Sequence, residues 1–423
     1  MNKFRQNFYV VSGYLYYFSF YFLILLLPLF RGVIYPLERV LFGLGFILLF
    51  CLWETRSIVK RGSSFKDFFK ENKIFLFGLF LLFVVMIQTY LLSNRLSESW
   101  IRIWDFCCFL LVFYLVKVSF LKQRKRQQLI YILLTISTLY SLLAYCYFFD
   151  WISHPWWEKS QFVSSTFVNH NHFAGFHEMI LFLNIGLILS FRDDKSLLYL
   201  FLLLIQWGAF LLSLSRGAWI SFTITLLFMS ALLMSDRRLR AIGLKIFMSL
   251  FIMILAFLGF IKSEYNPAMS KRFDSFFTKE GQTEFLDFRV KLWKSTYEAI
   301  ENSPKWGYGL GSFSWEMRKY RKKGFPYKFD FTHNDYLQFA MELGLIIFGL
   351  SLFWILLILS SALRNFYSTN LYYFRFEELG LLCGIICLMI HGFVDFNLHI
   401  FSNAIVFAIF LSLLVKKSLP LEK

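Results

Sequence analysis

The chain has 423 residues, 58% hydrophobic and 21% aromatic, with a formal net charge of +17 and a mean hydropathy of +0.57. That apolar load excludes an ordinary soluble globule and a disordered chain. The positive charge would point to nucleic acid in a soluble protein, but in so apolar a chain it reads as basic loops on the cytoplasmic side of a membrane.

Lys3 and Arg5 precede the first apolar run, 9–30, with no small-residue cleavage site, so the start reads as a retained signal anchor. Further runs follow at 40–53, 74–93, 104–121, 128–148, 172–191, 197–215, 217–234, 244–261, 336–361, 379–396 and 399–415. Runs of roughly 17 to 25 apolar residues cross a bilayer core of about 30 Å, which predicts an all-α polytopic membrane protein with about twelve transmembrane helices. The run at 40–53 is short and predicts a tilted or partly re-entrant segment. Cys51, Cys107, Cys108, Cys146, Cys383 and Cys387 all lie within apolar runs, where thiols act as small hydrophobes and not as a disulfide or zinc framework.

The basic stretches 56–73, 122–126 and 237–245, with Lys416 and Lys417, follow the second, fourth, eighth and last runs. Alternation through the spans then puts them and both termini in the cytoplasm. The opposite, exoplasmic side receives 31–39, 94–103, 149–171, the Ser215-Arg216-Gly217 turn, the long loop 262–332 between the ninth and tenth spans, and the turn near Asp395. Leu286, Val290, Trp293, Tyr297 and Ile300 recur in that loop at helical spacing, predicting an amphipathic helix at 287–302. Ser303-Pro304 ends it, and Gly307, Gly309 and Gly311 impose turns. Residues 1–423 form a single integral membrane domain with no internal repeat.

The candidate chemistry gathers on the exoplasmic side. Arg216 sits between two apolar runs, where it would either snorkel to headgroups or capture a phosphate through its planar guanidinium. Arg289 falls on the polar flank of the predicted loop helix, and two arginines on one side would clamp a diphosphate. His333, Asn334, Asp335, Gln338 and Glu342 lead into the tenth span, with Asp335, Gln338 and Glu342 on one helical face. There His333 would orient or deprotonate a hydroxyl near neutral pH, while Asn334 and Asp335 would alternatively cap the helix and Glu342 bond to a neighbour. Asn169, His170 and His172 precede the sixth span, with His177 and Glu178 a turn further in. His172 and His177 are five apart and point to different sides of a helix, so polar lining of an outward cavity is the reading, not metal. His391, Asp395 and His399 stand at i+4 intervals, but Phe396-Asn397 argues against one continuous helix, and hydrogen-bonded packing beside the cavity is expected.

His333-Asn334-Asp335-Tyr336-Leu337-Gln338 followed by Glu342-Leu343-Gly344 resembles the signature of the bacterial O-antigen ligase and polymerase family. Asn169 to Gly175, Ser215 to Ala218, Ser303 to Gly311 and His391 to His399 agree with it, over residues 165–415. The resemblance implies a GT-C glycosyltransferase of the inner membrane that takes a glycan from a polyprenyl (undecaprenyl) diphosphate. It implies an acceptor hydroxyl on lipid A-core or a growing polysaccharide, with no cofactor, no metal and no nucleic acid partner. The family's phosphate-binding arginines map onto Arg216 and Arg289 and its histidine onto His333. Polymerases and protein O-oligosaccharyltransferases share these motifs. A secondary transporter is the rival of another class, but its ionisable residues are expected at mid-membrane, often in inverted repeats.

Overall fold

An apolar segment surrounded by lipid must satisfy its backbone hydrogen bonds internally, and a helix does so within one segment. The computed structural model is described over residues 3–61, 72–153, 162–191, 194–249, 279–320, 330–368 and 372–415, and those residues form helices and no strand. In chain order the helices are α1 (Lys3–Leu29), α2 (Pro36–Arg61), α3 (Lys73–Leu92), α4 (Leu96–Ser119), α5 (Gln123–Phe148), α6 (His170–Ser190) and α7 (Asp194–Leu212). There follow α8 (Arg216–Ser235), α9 (Lys279–Asn302), α10 (Phe313–Glu316), α11 (Asp335–Ser368), α12 (Tyr372–His391), a single 3-10 turn (Asn397–His399) and α13 (Phe401–Leu414).

Eight of them, α1, α2, α3, α5, α6, α7, α8 and α11, are long and apolar enough to cross a membrane, where the sequence predicts about twelve spans. The predicted spans 104–121 and 379–396 coincide in part with α4 and α12, and 399–415 with the shorter apolar α13. The predicted span 244–261 is helical as far as residue 249 and beyond that lies outside the described residues, as does 262–278 of the long loop.

Two expectations are corrected. The second run is not short: α2 has 26 residues. Pro36, whose fixed φ suits a first helical position, starts it. Its polar end is supported where Tyr114 donates to Glu54 and the Arg56 guanidinium lies 3.8 Å over the Tyr9 ring. The loop helix α9 begins earlier than 287, and its buried stripe is rotated from the predicted one. Arg289, Leu292, Thr296, Ala299 and Ile300 are buried, whereas Tyr297 is 56% exposed and Val290 and Trp293 are half-buried. The docked neighbours, Phe313, Met317, Ala340 and Met341, select this face instead of the widest apolar arc.

At the centre, α6 and α12 pack with their backbones nearly touching. A Cβ on Gly186 would fall 2.4 Å from the Phe376 carbonyl oxygen, and one on Gly380 2.6 Å from that of Phe182. Between lipid-facing helices association depends on such close packing, because apolar burial drives little there. A second glycine contact docks the loop. Gly344 breaks α11 with φ +72°, and Gly307, at φ +66°, lies so close that a Cβ on it would meet the Gly344 nitrogen at 2.4 Å. The Pro304 carbonyl accepts from Leu345 N (2.8 Å) and the Glu342 carbonyl from Gly309 N (2.8 Å), so the kink exchanges helix hydrogen bonds for loop ones.

Contacts between the described helix ends fall into two groups. In one, Arg126 pairs with Glu377 and Arg375 with Asp236, each at 2.5 Å. In the other are the starts of α6, α8 and α11, the end of α12 and the loop helix α9.

Candidate active site

The site is built on the connection from α12 to α13. Helix α12 stops at His391, residues 392–396 turn, and Asn397–His399 makes one 3-10 turn. The expected interruption is present but begins at Gly392, ahead of Phe396-Asn397, and it sends His391, Asp395 and His399 to three different places instead of along one face. Asp395 is buried, and its Oδ1 accepts from Phe396 N at 2.8 Å.

Three other segments converge on this turn. Ser215 caps α8, accepting from Ala218 N at 3.4 Å, so Arg216 opens the helix. Gly217 allows that end to lie against the turn: a Cβ there would stand 2.8 Å from Val394 Cγ2 and 3.0 Å from the His391 ring. Helix α9 brings Arg289, 7% exposed, whose Nη1 donates to the Val394 carbonyl. The predicted polar-flank position of Arg289 is therefore corrected; it lies on the docked stripe, close enough to Arg216 and Asp395 to interact electrostatically with both. Burial and the neighbouring Arg216 together lower its pKa.

The third segment is 331–335. His333 adopts φ +52° and Leu214, just ahead of the Ser215 cap, φ +53°. Left-handed backbone costs a residue with a Cβ about 1 kcal/mol or more, and such strain concentrates at functional positions. His333 Nδ1 stands 3.9 Å and His172 Nε2 3.8 Å from Asp395 Oδ1. Neither nitrogen has a hydrogen-bond partner, although both are buried from solvent. Both gaps exceed hydrogen-bond distance, leaving a carboxylate faced by two imidazoles that it does not directly engage. Burial lowers the His333 pKa, opposed by Asp395 and reinforced by Arg289. Burial alone would raise Asp395, but His172, His391, His333 and Arg289 outweigh it and hold the carboxyl below its usual range. At neutral pH the pair is a neutral imidazole beside a carboxylate.

Phe396 stands between these histidines, edge-on to His172 (4.7 Å between centroids) and to His333 (4.9 Å). Phe331 stacks on its other side at 4.1 Å. This aromatic pair was not singled out in the sequence; in a chain with 56 phenylalanines, composition offers no signal for it.

The other expected site residues surround this centre in supporting contacts. Asn169 caps α6, accepting from Asn171 N at 2.8 Å, and the His170 ring bonds the Ser213 carbonyl at 2.7 Å beside the Arg216 turn. Asn334 Oδ1 accepts from Leu337 N (3.0 Å) while its amide donates to the Phe393 carbonyl (2.9 Å). Asp335 ties α11 to the turn through its backbone N, which donates to the Gly392 (2.8 Å) and Asp395 (3.1 Å) carbonyls, and its Oδ1 lies 2.6 Å from His399 Nδ1. Gln338 accepts from Thr332 N at 3.1 Å and reaches Glu342 at 3.3 Å. Glu342 accepts from Gly311 N (2.8 Å) and Phe313 N (3.3 Å), anchoring the loop.

His177 does not line the site; it is buried against Ser141 (2.9 Å) and the Phe173 carbonyl (3.0 Å). Glu178 also turns inward, 3.1 Å from His391 Nδ1 and from Ser221 Oγ. Among the described residues, no group of three His, Cys, Asp or Glu side chains is spaced to hold a metal ion. The arrangement offers two guanidiniums, a helix N-terminus and a neutral imidazole beside a carboxylate, a combination suited to holding an anion while a nearby hydroxyl loses a proton.

Residues 200–354, which include Arg216, Arg289, His333, Asp335 and Glu342, match the family model described as O-Antigen ligase. No curated protein matches the chain. Over that stretch, about a third of the chain, the protein is similar to the O-antigen ligase family.

Proposed function

We propose that this protein transfers a glycan from a polyprenyl (undecaprenyl) diphosphate to an acceptor hydroxyl, on lipid A-core or a growing polysaccharide, at the periplasmic face of the inner membrane. The observation that carries this reading is the convergence of Arg216 and Arg289, from segments more than seventy residues apart, on the same turn as His333 and Asp395. Two guanidiniums and the positive end of α8 would hold the diphosphate and stabilise the charge it gains as the glycosidic bond breaks. His333, neutral and beside Asp395, would take the proton of the attacking hydroxyl, and the carboxylate would stabilise the resulting imidazolium. A single displacement of this kind inverts the anomeric centre. Asn169, His170, His172, Asn334, Asp335, Gln338, Glu342 and Asp395 position these groups or line the approach to them. The chemistry needs no metal ion or cofactor, because the arginines supply the charge.

With the basic stretches 122–126 and 237–245 at the opposite bundle end, sidedness follows from the positive-inside rule, which would put both termini in the cytoplasm. The twelve-span topology and the 262–332 loop belong to the same proposal. The test is the envelope glycan pattern of cells lacking this protein, complemented with wild type or His333→Ala. Polyprenyl-linked precursor that accumulates and is cleared only by wild type is the expected result. Polymer missing from core indicates a ligase, and core bearing a single unit a polymerase. Glycans unchanged by the deletion would overturn the assignment.

A further inference from the structure

On the far side of the Phe331–Phe396 pair from His333, a cavity of about 180 Å³ opens between α3, α4, α11, α12 and α13. Its wall is largely apolar and includes Phe106, Phe109, Phe339, Leu352, Ile355 and Phe407. Its polar lining residues include Asp335, His399, Arg102 and Asp105, beside Tyr336 and Ser351. Two polar atoms of this group are buried without a hydrogen-bond partner, His399 Nε2 and Asp105 Oδ1.

The chemistry of those two atoms defines what would satisfy them. His399 Nδ1 faces Asp335 Oδ1 at 2.6 Å, and Asp335 Oδ2 accepts from Leu398 N at 3.1 Å. With the His399 proton assigned to Nδ1, toward that carboxyl group, Nε2 presents a lone pair. Asp105 Oδ2 is occupied by Arg39 and Arg102, which leaves Oδ1 as a second acceptor. Both arginines also donate to the His399 carbonyl, at 3.2 and 3.1 Å, which fixes the group in place. An unpaired acceptor in an apolar wall is costly, and a hydroxyl would offset that cost. A phosphate would bring further acceptors to a place that already has two. The walls suit several methylene groups of a hydrocarbon chain.

We propose that this cavity binds a lipid by one hydrocarbon chain, with the hydroxyl of its polar end donating its one proton to His399 Nε2 or to Asp105 Oδ1. The occupant is a hydroxylated lipid, distinct from the phosphate-bearing molecule assigned to the arginine pair. Resting on the transfer reading, this places a hydroxyl-bearing lipid against the same 392–399 turn whose other face carries Asp395.

The test uses full-length purified protein in nanodiscs with three photoreactive diazirine probes: hexadecanol, hexadecyl phosphate and hexadecane. Labelled peptides are located by mass spectrometry, with no glycan donor present. Hexadecanol is expected to label the peptides carrying Phe109, Phe339 and Leu352 roughly three- to tenfold more than either other probe, the worth of about one hydrogen bond. Leu352→Trp fills the cavity and removes this labelling, and His399→Phe removes the preference for the alcohol. The comparison of probes on the unaltered protein decides the matter even if His399→Phe does not fold. Equal labelling by all three probes overturns the hydroxyl assignment, and labelling confined to lipid-facing Phe353 and Leu356 overturns the site. Arg216→Ala, which disables transfer under the reading above, leaves hexadecanol labelling unchanged, so the two proposals fail separately.

Discussion

At one end of the bundle Arg126 meets Glu377 and Arg375 meets Asp236 at 2.5 Å, whereas at the other His172 and His333 stand 3.8 and 3.9 Å from Asp395. The first end closes its charges on one another. Arg126 also donates to the Leu413 carbonyl, and Lys117 to that of Val415, so cations there hold helix ends together. The second end holds imidazoles and a carboxylate close without joining them, and it keeps Leu214 and His333 in left-handed backbone. Direct pairing fits a structural latch, while near approach with strain fits a surface shaped for something else to enter. The second end has joined pairs as well, His391 with Glu178 and His399 with Asp335, so what sets it apart is the unjoined cluster around Asp395.

The largest effect expected from this contrast is at Arg289. Arg289→Ala should lower glycan transfer about a hundred- to a thousandfold, the usual cost of removing one donor that stabilises developing charge. Transfer measured in membranes at matched protein level tests it, and a change within about threefold would remove the arginine clamp. At the opposite end Glu377→Gln should do the reverse. It should cost about 1–3 kcal/mol of stability by leaving Arg126 uncompensated, with the rate per folded molecule unchanged. Denaturation in detergent, followed beside transfer rate, reads both quantities, and a lost rate at retained stability would erase the distinction between the ends.

A pH profile sharpens the comparison further. Burial holds His333 below the ordinary histidine value, so it stays neutral as pH falls through that value and gains a proton only at lower pH. Transfer should therefore be flat near neutrality and decline about tenfold per unit below the lowered pKa, as the base form is lost. His333→Gln should abolish that acid limb; an identical limb in the variant would assign the titration elsewhere. The smallest effect belongs to Asn169. Its side chain caps α6, so Asn169→Ala should cost about 1 kcal/mol of stability and leave KM for the lipid-linked donor unchanged. A raised KM at full stability would make Asn169 a substrate contact.

Periodicity and hydropathy made the helical class and most span positions legible, because apolar runs in a membrane admit few backbone solutions. The motif order around 333–344 marked the neighbourhood of the site, and the glycines at 307, 309 and 311 marked its loop. Other features were not legible. The burial of Arg289 depends on which face of α9 meets Phe313 and Met341, and the widest apolar arc named the wrong face. The i+4 spacing of His391, Asp395 and His399 suggested one surface, yet the turn after α12 sends His391 to Glu178, Asp395 toward His172 and His333, and His399 to Asp335.

Sequence alone determined that this chain is helical, membrane-embedded and motif-bearing, because those properties follow from local composition and short-range spacing. Tertiary structure decided which polar groups meet. Gly217 against Val394, Gly307 against Gly344 and α9 across the 392–396 turn are contacts between distant segments, and local spacing says nothing about how closely two backbones will approach.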